Sequence, residues 1–408
     1  MTDQRTRINI VNRAAEQNTV LLVGAGIGGL AAALGLAQAG YEVDLFEQAT
    51  DLGEIGAGIQ LGPNAFAAMD ALGCGPRARA RAVYTDNLIM LDALDGSVVG
   101  KIPVGTAFRE YFGNPYAVIH RADIHLSIYE ETQVHDSIRV HTDARIVSAD
   151  VSEHGASVRD HKGQEWSGAA VVGCDGLRSV VREALIGDSH VVSGHVVYRA
   201  VCPKDEFPKD LRWNAAVIWV GPNYHIVHYP LRGGEEYNIV ITFHSREKEV
   251  WSVREGSRAE LLSYFNEISP KPRQLLEKAS VWQRWATADR EPTEKWGRGR
   301  ATLLGDAAHP PLQYMAQGAC IALEDAVTLR EALKKSGGDI ETAFRLYEKS
   351  RIPRTARVQY SARLMGRIYH ASGAERLVRN SLWKDRSPDE YYQALNWLYG
   401  WKVETCLD

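Results

Sequence analysis

Apolar positions along this chain change their period several times, and each change marks a different kind of element. Thr19 to Val23 is a short apolar run that ends at a glycine, and from Gly28 to Ala39 the residues Leu30, Leu34 and Ala37 share one helical face. Gly40 closes that helix, and Glu42 to Glu47 alternates, with Val43 and Leu45 as its apolar positions. Strand, helix and strand therefore follow one another within about 30 residues, the length of a right-handed βαβ unit, and predict the start of a parallel sheet. From Ala215 to Phe243 the chain turns to strands rich in Val, Ile, Tyr and Trp, punctuated by Gly221-Pro222-Asn223 and Arg232-Gly233-Gly234, which predicts an antiparallel meander. Helical spacing returns after Gly318 and runs to about Asn380, and Trp383 to Trp401 is an aromatic-rich tail whose packing the pattern leaves open. The fold class is thus α/β: a discontinuous Rossmann-like nucleotide domain, an inserted antiparallel β-sheet domain and a helical C-terminal region.

Composition narrows the function classes. A chain of 408 residues is long for a single core, so two interleaved domains are expected. The formal net charge of -4, with both signs scattered, offers no basic face for nucleic acid and no polybasic anchor. No apolar stretch reaches the roughly 20 residues of a membrane span, and the leader over residues 1–18 is polar, so a cytoplasmic protein acting on small molecules is expected. The five cysteines form no CxxC pair and the thirteen histidines no HExxH, so neither a disulfide framework nor a metal site is expected and redox chemistry needs an organic cofactor.

Three segments carry that chemistry. Gly24-Ala25-Gly26-Ile27-Gly28-Gly29 fits GxGxxG between a strand and the first turn of a helix, where backbone amides and the positive helix end meet a pyrophosphate. Glu47, at the end of the second strand, is placed to accept hydrogen bonds from ribose hydroxyls. Val171-Val172-Gly173-Cys174-Asp175-Gly176, followed by Ser179 and Arg182, ends a strand in an Asp-Gly turn that can offer amides and one cation near a second phosphate region. Arg300 to Leu304 is a further strand leading into Gly305-Asp306-Ala307-Ala308-His309-Pro310, with Asp306 as an acceptor for a polyol. The helix after Gly318 then points a positive end at the same place, and Lys334, Lys335 and Gly337-Gly338 mark its far end.

In this order and at these separations the segments resemble the single-component flavoprotein aromatic hydroxylases, over about residues 19 to 365. The resemblance implies FAD as cofactor, held by Gly24, Gly26, Ile27, Gly28, Gly29, Glu47, Gln60, Arg121, Asp175, Asp306, Gly318 and Ala319. It also implies NADH as a transient co-substrate that docks without a second GxGxxG. Where the family often carries Asn, two residues after Gly318, this chain has Cys320. The implied division is FAD-binding segments at 19–90, 118–190 and 285–365, substrate-domain segments at 91–117 and 191–284, and a C-terminal helical region at 366–408.

The period of two in Asn223 to Tyr229 puts His225, Val227 and Tyr229 on one strand face: a base, an apolar floor and a phenol. By resemblance His225, Tyr229 and Gln313 face an aromatic substrate, with Val227 and, as a positional candidate, Asp86. The implied reaction is para-hydroxylation of 3-hydroxybenzoate to 2,5-dihydroxybenzoate by NADH and O2 through a flavin C4a-hydroperoxide. Salicylate hydroxylation, or an FAD-dependent dehydrogenase without oxygen insertion, are the alternatives. Arg109 and Arg232 are expected at the solvated surface, the carboxylate partner stays unassigned, and a homodimer is possible.

Overall fold

The computed structural model describes residues 18–53, 57–278 and 281–408, so the leader expected over 1–18 lies outside it except for Asn18. The predicted βαβ unit forms as strand Thr19–Val23, helix Ile27–Gln38 and strand Glu42–Phe46. It sits in a five-stranded sheet with the order Ala301–Leu303, Ala170–Gly173, Thr19–Val23, Glu42–Phe46, Ile138–His141, parallel at every pairing. All five residues of the central strand are buried, which is why it reads as an unbroken apolar run rather than an alternation. Its helix is buried along almost its whole length, from Ile27 to Leu36, because the helices Gly318–Lys335 and Arg121–Thr132 both pack on it. The alanines at 31 to 33 allow that approach; the single apolar stripe expected from Leu30, Leu34 and Ala37 is only part of the buried surface.

The predicted meander is the centre of an eight-stranded sheet ordered Ser252–Glu255, Gln283–Asp289, Val191–Pro203, Glu236–His244, Tyr224–Leu231, Ala215–Gly221, Asn87–Asp92, Val98–Pro103. One pairing departs from the antiparallel expectation: Ala215–Gly221 runs parallel to Asn87–Asp92, because the outer hairpin enters from an earlier part of the chain. The expected boundaries after residues 90 and 284 fall inside strands of this sheet. A small sheet of Gly58–Leu61, Ala117–His120 and Val83–Tyr84 packs on the eight-stranded sheet, where Gly58 donates its amide to the Asn238 side chain at 2.8 Å.

The C-terminal region is wholly helical in its main elements: Ile340–Tyr369, Gly373–Trp383 and Pro388–Tyr399. The aromatic tail is thereby accounted for. Its last helix opens with a capping box of Ser387 and Glu390 and buries Tyr391, Tyr392, Leu398 and Tyr399 against a core that includes Phe108 and Tyr116. The buried carboxylate of Asp92 accepts hydrogen bonds from Arg376, Arg379 and Asn380, which ties the preceding helix to the end of a sheet strand. Among the described residues no helix is long and apolar enough to cross a membrane, no group of His, Cys, Asp and Glu could hold a metal ion, and all five cysteines are free thiols.

Candidate active site

A cavity of about 350 Å³ runs from the glycine-rich turn to the face of the eight-stranded sheet. Gly26, Ile27 and Gly28 line one end, Gln60, Arg121, Asp306, Gly318 and Ala319 the middle, and His225, Val227, Tyr229 and Gln313 the other. Segments hundreds of residues apart thus converge on one space, as the order of motifs predicts.

Four of the expected cofactor residues stand behind that lining. Gly24 has φ of +99°, and a Cβ there would lie 2.5 Å from the Cys174 carbonyl oxygen, so only glycine lets the first turn pass the Asp-Gly strand. Gly29 lies in the first turn of the helix, where a Cβ would collide with the Gly24 carbonyl oxygen. Glu47 accepts from the Ala25 amide with one oxygen and from the Ala49 amide with the other, both at 2.9 Å, and so braces the glycine-rich turn; its remaining lone pairs stay available to hydroxyl donors. Asp175 accepts from the Val180 amide at 2.7 Å at the start of the helix Val180–Leu185, and burial raises its pKa.

Two expectations are corrected. Asp86 is exposed, with its backbone amide on the Asn214 carbonyl and its carbonyl on the Val104 amide, and it does not line the cavity. It sits in a short connection between strands, and its side chain turns outward. Arg182 offers no cation to a phosphate: its buried guanidinium is taken up by the Ala307 and Ala308 carbonyls and the Asp188 carboxylate. It acts instead as a bolt between the Asp-Gly and Gly-Asp segments. Arg109 lies over the Tyr84 ring and Arg232 pairs with Asp123 and Glu236 at the surface, as expected for arginines outside the cavity.

The residues present fit FAD on two observations. The helix Gly318–Lys335 starts without a side-chain cap and without an acid in its first turn, so its first amides face the cavity as a ready anion site. Asp306 opens onto the lumen, with no hydrogen-bond or ion-pair partner among the described residues, and desolvation raises its pKa against the opposing effect of His309 and Arg121. A carboxylate so placed is free to accept hydrogen bonds from hydroxyl donors such as those of a ribityl chain. Cys320 points away from the cavity: it is fully buried, its Sγ lies 3.6 Å from the Gln60 carbonyl, and burial pushes the thiol up to about 12.

The opposite wall is a three-by-three patch of one sheet face. Cross-strand registers place Val197, Thr242 and His225 in one row, Arg199, Val240 and Val227 in the next, and Val201, Asn238 and Tyr229 in the third. Since residues two apart share a face, all nine sit on the same side. Tyr229 fits because Gly58 has no side chain: a Cβ there would lie 2.5 Å from the tyrosine ring. His225 is buried, its Nδ1 is 2.9 Å from Nε2 of His370, and burial pushes its pKa down to about 3, so the ring is neutral. Gln313 Nε2 points at the Thr242 hydroxyl at 3.5 Å. Arg199 was not singled out in the sequence, although a lone cation in Val196-Val197-Tyr198-Arg199-Ala200-Val201-Cys202 was a signal. Among the described residues its guanidinium has no carboxylate partner; the Trp285 ring lies 5.5 Å from it, and Tyr229 and Arg121 act on it electrostatically. Burial lowers its pKa, yet arginine stays charged in proteins.

The FAD binding domain family matches residues 17–360. The chain belongs to this family. It is 60% identical over 388 residues to a 3-hydroxybenzoate 6-hydroxylase of Polaromonas naphthalenivorans (strain CJ2), covering 95% of this chain and 97% of the relative. It is 57% identical over 388 residues to a 3-hydroxybenzoate 6-hydroxylase of Klebsiella oxytoca, covering 95% and 98%. Among solved structures, Klebsiella pneumoniae HpxO complexed with FAD and uric acid superposes with a TM-score of 0.82 at 23% identity, covering 95% of this chain and 96% of that one. A salicylate hydroxylase substrate complex gives 0.81 at 24% identity, covering 96% and 97%. The chain is therefore an FAD-dependent monooxygenase of the flavoprotein aromatic hydroxylase class.

Proposed function

We propose that the protein hydroxylates 3-hydroxybenzoate para to its hydroxyl, giving 2,5-dihydroxybenzoate, with NADH and O2 as co-substrates. The observation that carries this reading is the wall itself: a neutral imidazole, a tyrosine, an apolar floor and an arginine without a carboxylate partner among the described residues share one face at the end of the FAD cavity. The name shared by the relatives above supports it.

Arg199 holds the substrate carboxylate, a pairing that satisfies a guanidinium otherwise left on an aromatic face. Val227 and Val240 receive the ring, and Tyr229 and Gln313 fix its rotation. His225 accepts a hydrogen bond from the substrate hydroxyl through the nitrogen not facing His370 and draws off its proton, making the ring electron-rich. Bound FAD, reduced by NADH, supplies the activated oxygen. The buried walls keep water from that oxygen and hold the carbon para to the hydroxyl toward it.

The test is product identification by chromatography after incubation of the purified protein with NADH, air and the three monohydroxybenzoates. Formation of 2,5-dihydroxybenzoate from the 3-isomer alone is the expected outcome. Catechol from salicylate would transfer the assignment to salicylate hydroxylation, and peroxide with no aromatic product would leave an oxidase-type reductase.

A further inference from the structure

Behind His225 the structure holds three more histidines that no step above uses. His370 ends the long helix Ile340–Tyr369, with its Nε2 2.9 Å from Nδ1 of His225. His195 lies on the strand Val191–Pro203, its ring centroid 5.3 Å from that of His370 and edge-on to it. His244 is the direct cross-strand partner of His195, with ring centroids 5.0 Å apart, and is exposed. His195 and His244 have the same strand parity as Arg199 and Thr242, so they extend the cavity wall by one row toward solvent.

The line has two features that a packed aromatic cluster would not need. Among the described residues the buried Nδ1 of His195 has no hydrogen-bond partner. Among the described residues the groups acting electrostatically on His225, His370 and His195 are one another and His244, with no carboxylate among them. Tyr314 and Tyr369 supply the remaining ring contacts, and the nearby Arg379 guanidinium is engaged by the Tyr369 carbonyl and Asp92. A carboxylate beside such a ring would hold a proton there. Without one, and with burial lowering the pKa of each of the three rings, a proton that enters has no reason to stay.

We infer that His225, His370, His195 and His244 form a proton conduit between the substrate hydroxyl and bulk solvent. The inference rests on the proposed placement of a phenol against His225. The substrate O–H bond breaks as its proton passes to Nε2 of His225, and the Nδ1–H of His225 passes its proton to Nε2 of His370. His370 then hands its other proton to His195, whose free Nδ1 comes within reach by a ring rotation, and His195 passes one through His244 to water. One proton leaves the substrate and one enters solvent, so charge balances, and no imidazolium accumulates in the wall. His370 and His195 are positioning residues: they act on the substrate only through His225.

The test follows the rise of phenolate absorbance after rapid mixing of the FAD-loaded protein with 3-hydroxybenzoate, for wild type, His370→Ala and His195→Phe. His370→Ala is expected to slow that rise about 10²-fold near neutral pH, the usual scale for one acid-base group. Added imidazole should restore much of the rate, and His195→Phe should slow it in the same direction. FAD content and benzoate affinity, which do not need the proton to move, should stay at wild-type values and report correct folding. Wild-type rates in both variants would overturn the conduit, as would a loss in His370→Ala that imidazole does not rescue. Failure of the functional reading looks different: the wild-type protein itself would then show no phenolate.

Discussion

The Oδ2 of Asp325 lies 2.6 Å from Nε2 of His309 and 3.0 Å from the amide of Gly305, so one buried carboxylate anchors both ends of the loop that carries Asp306. The other oxygen of Asp325 and the neighbouring Glu324 bind Arg351, and Glu324 also binds Arg354. Removing one partner of such a buried set leaves charge uncompensated, at a cost of about 3–5 kcal/mol. Arg351→Met is expected to lower unfolding free energy by that order and to loosen FAD, measured by denaturant unfolding and by flavin retention on gel filtration.

The same network sets a response to acid. Its arginine partners hold the Glu324 and Asp325 carboxyls below their ordinary range against the opposing effect of burial, and His309 does the same for Asp325. Depressed carboxylates add stability that is complete above their unfolded values, near 4, and lost as pH falls through the lower folded values. Flavin fluorescence during acid titration should therefore report release below about pH 4. Arg351→Met should move that release to higher pH.

Gly58→Ala should disturb Tyr229 before it disturbs FAD. The new methyl would lie 2.5 Å from the tyrosine ring and 3.0 Å from the Asn238 side chain. Overpacking of this kind costs about 1–3 kcal/mol and moves the ring proposed to orient the substrate. The expected outcome is a yellow protein that makes more hydrogen peroxide and less hydroxylated product per NADH, measured by oxygen and product balance.

Arg199→Met should act on substrate affinity. Loss of a charge-assisted hydrogen bond is worth about 1.5–3 kcal/mol, so KM for 3-hydroxybenzoate should rise roughly 10- to 150-fold. The uncharged 3-hydroxybenzamide, which gives the guanidinium no anion to bind, should show little difference between variant and wild type. Equal penalties for the two compounds would remove Arg199 from carboxylate recognition.

His225→Ala should keep FAD and lose hydroxylation by about 10²-fold or more, the scale of one acid-base group. Full turnover in that variant, measured as product formed per unit time, would remove His225 from the mechanism.

What the sequence made legible was local. The βαβ unit could be read because a glycine-rich turn, an apolar helix and two short strands fall within one stretch, and His225, Val227 and Tyr229 could be placed on one face because they share one strand. Arg199 could not be added to them, since only its pairing with Val240, 41 residues later, brings it onto the same face. Glu324 and Asp325 resemble the solvated face of a helix until Arg351 and Arg354 of the next helix bury them. The reverse error befell Arg182 and Asp86: one is spent on carbonyls and Asp188, the other faces solvent, and neither outcome is encoded in the few residues around them.

The central claim is that FAD chemistry in this cavity inserts oxygen into an aromatic ring held by the wall of His225, Tyr229 and Arg199. Mass spectrometry of the product formed from 3-hydroxybenzoate and NADH under ¹⁸O-labelled dioxygen measures it most directly. The expected result is 2,5-dihydroxybenzoate carrying one labelled oxygen atom, and NADH consumption with no label in any aromatic product would contradict it.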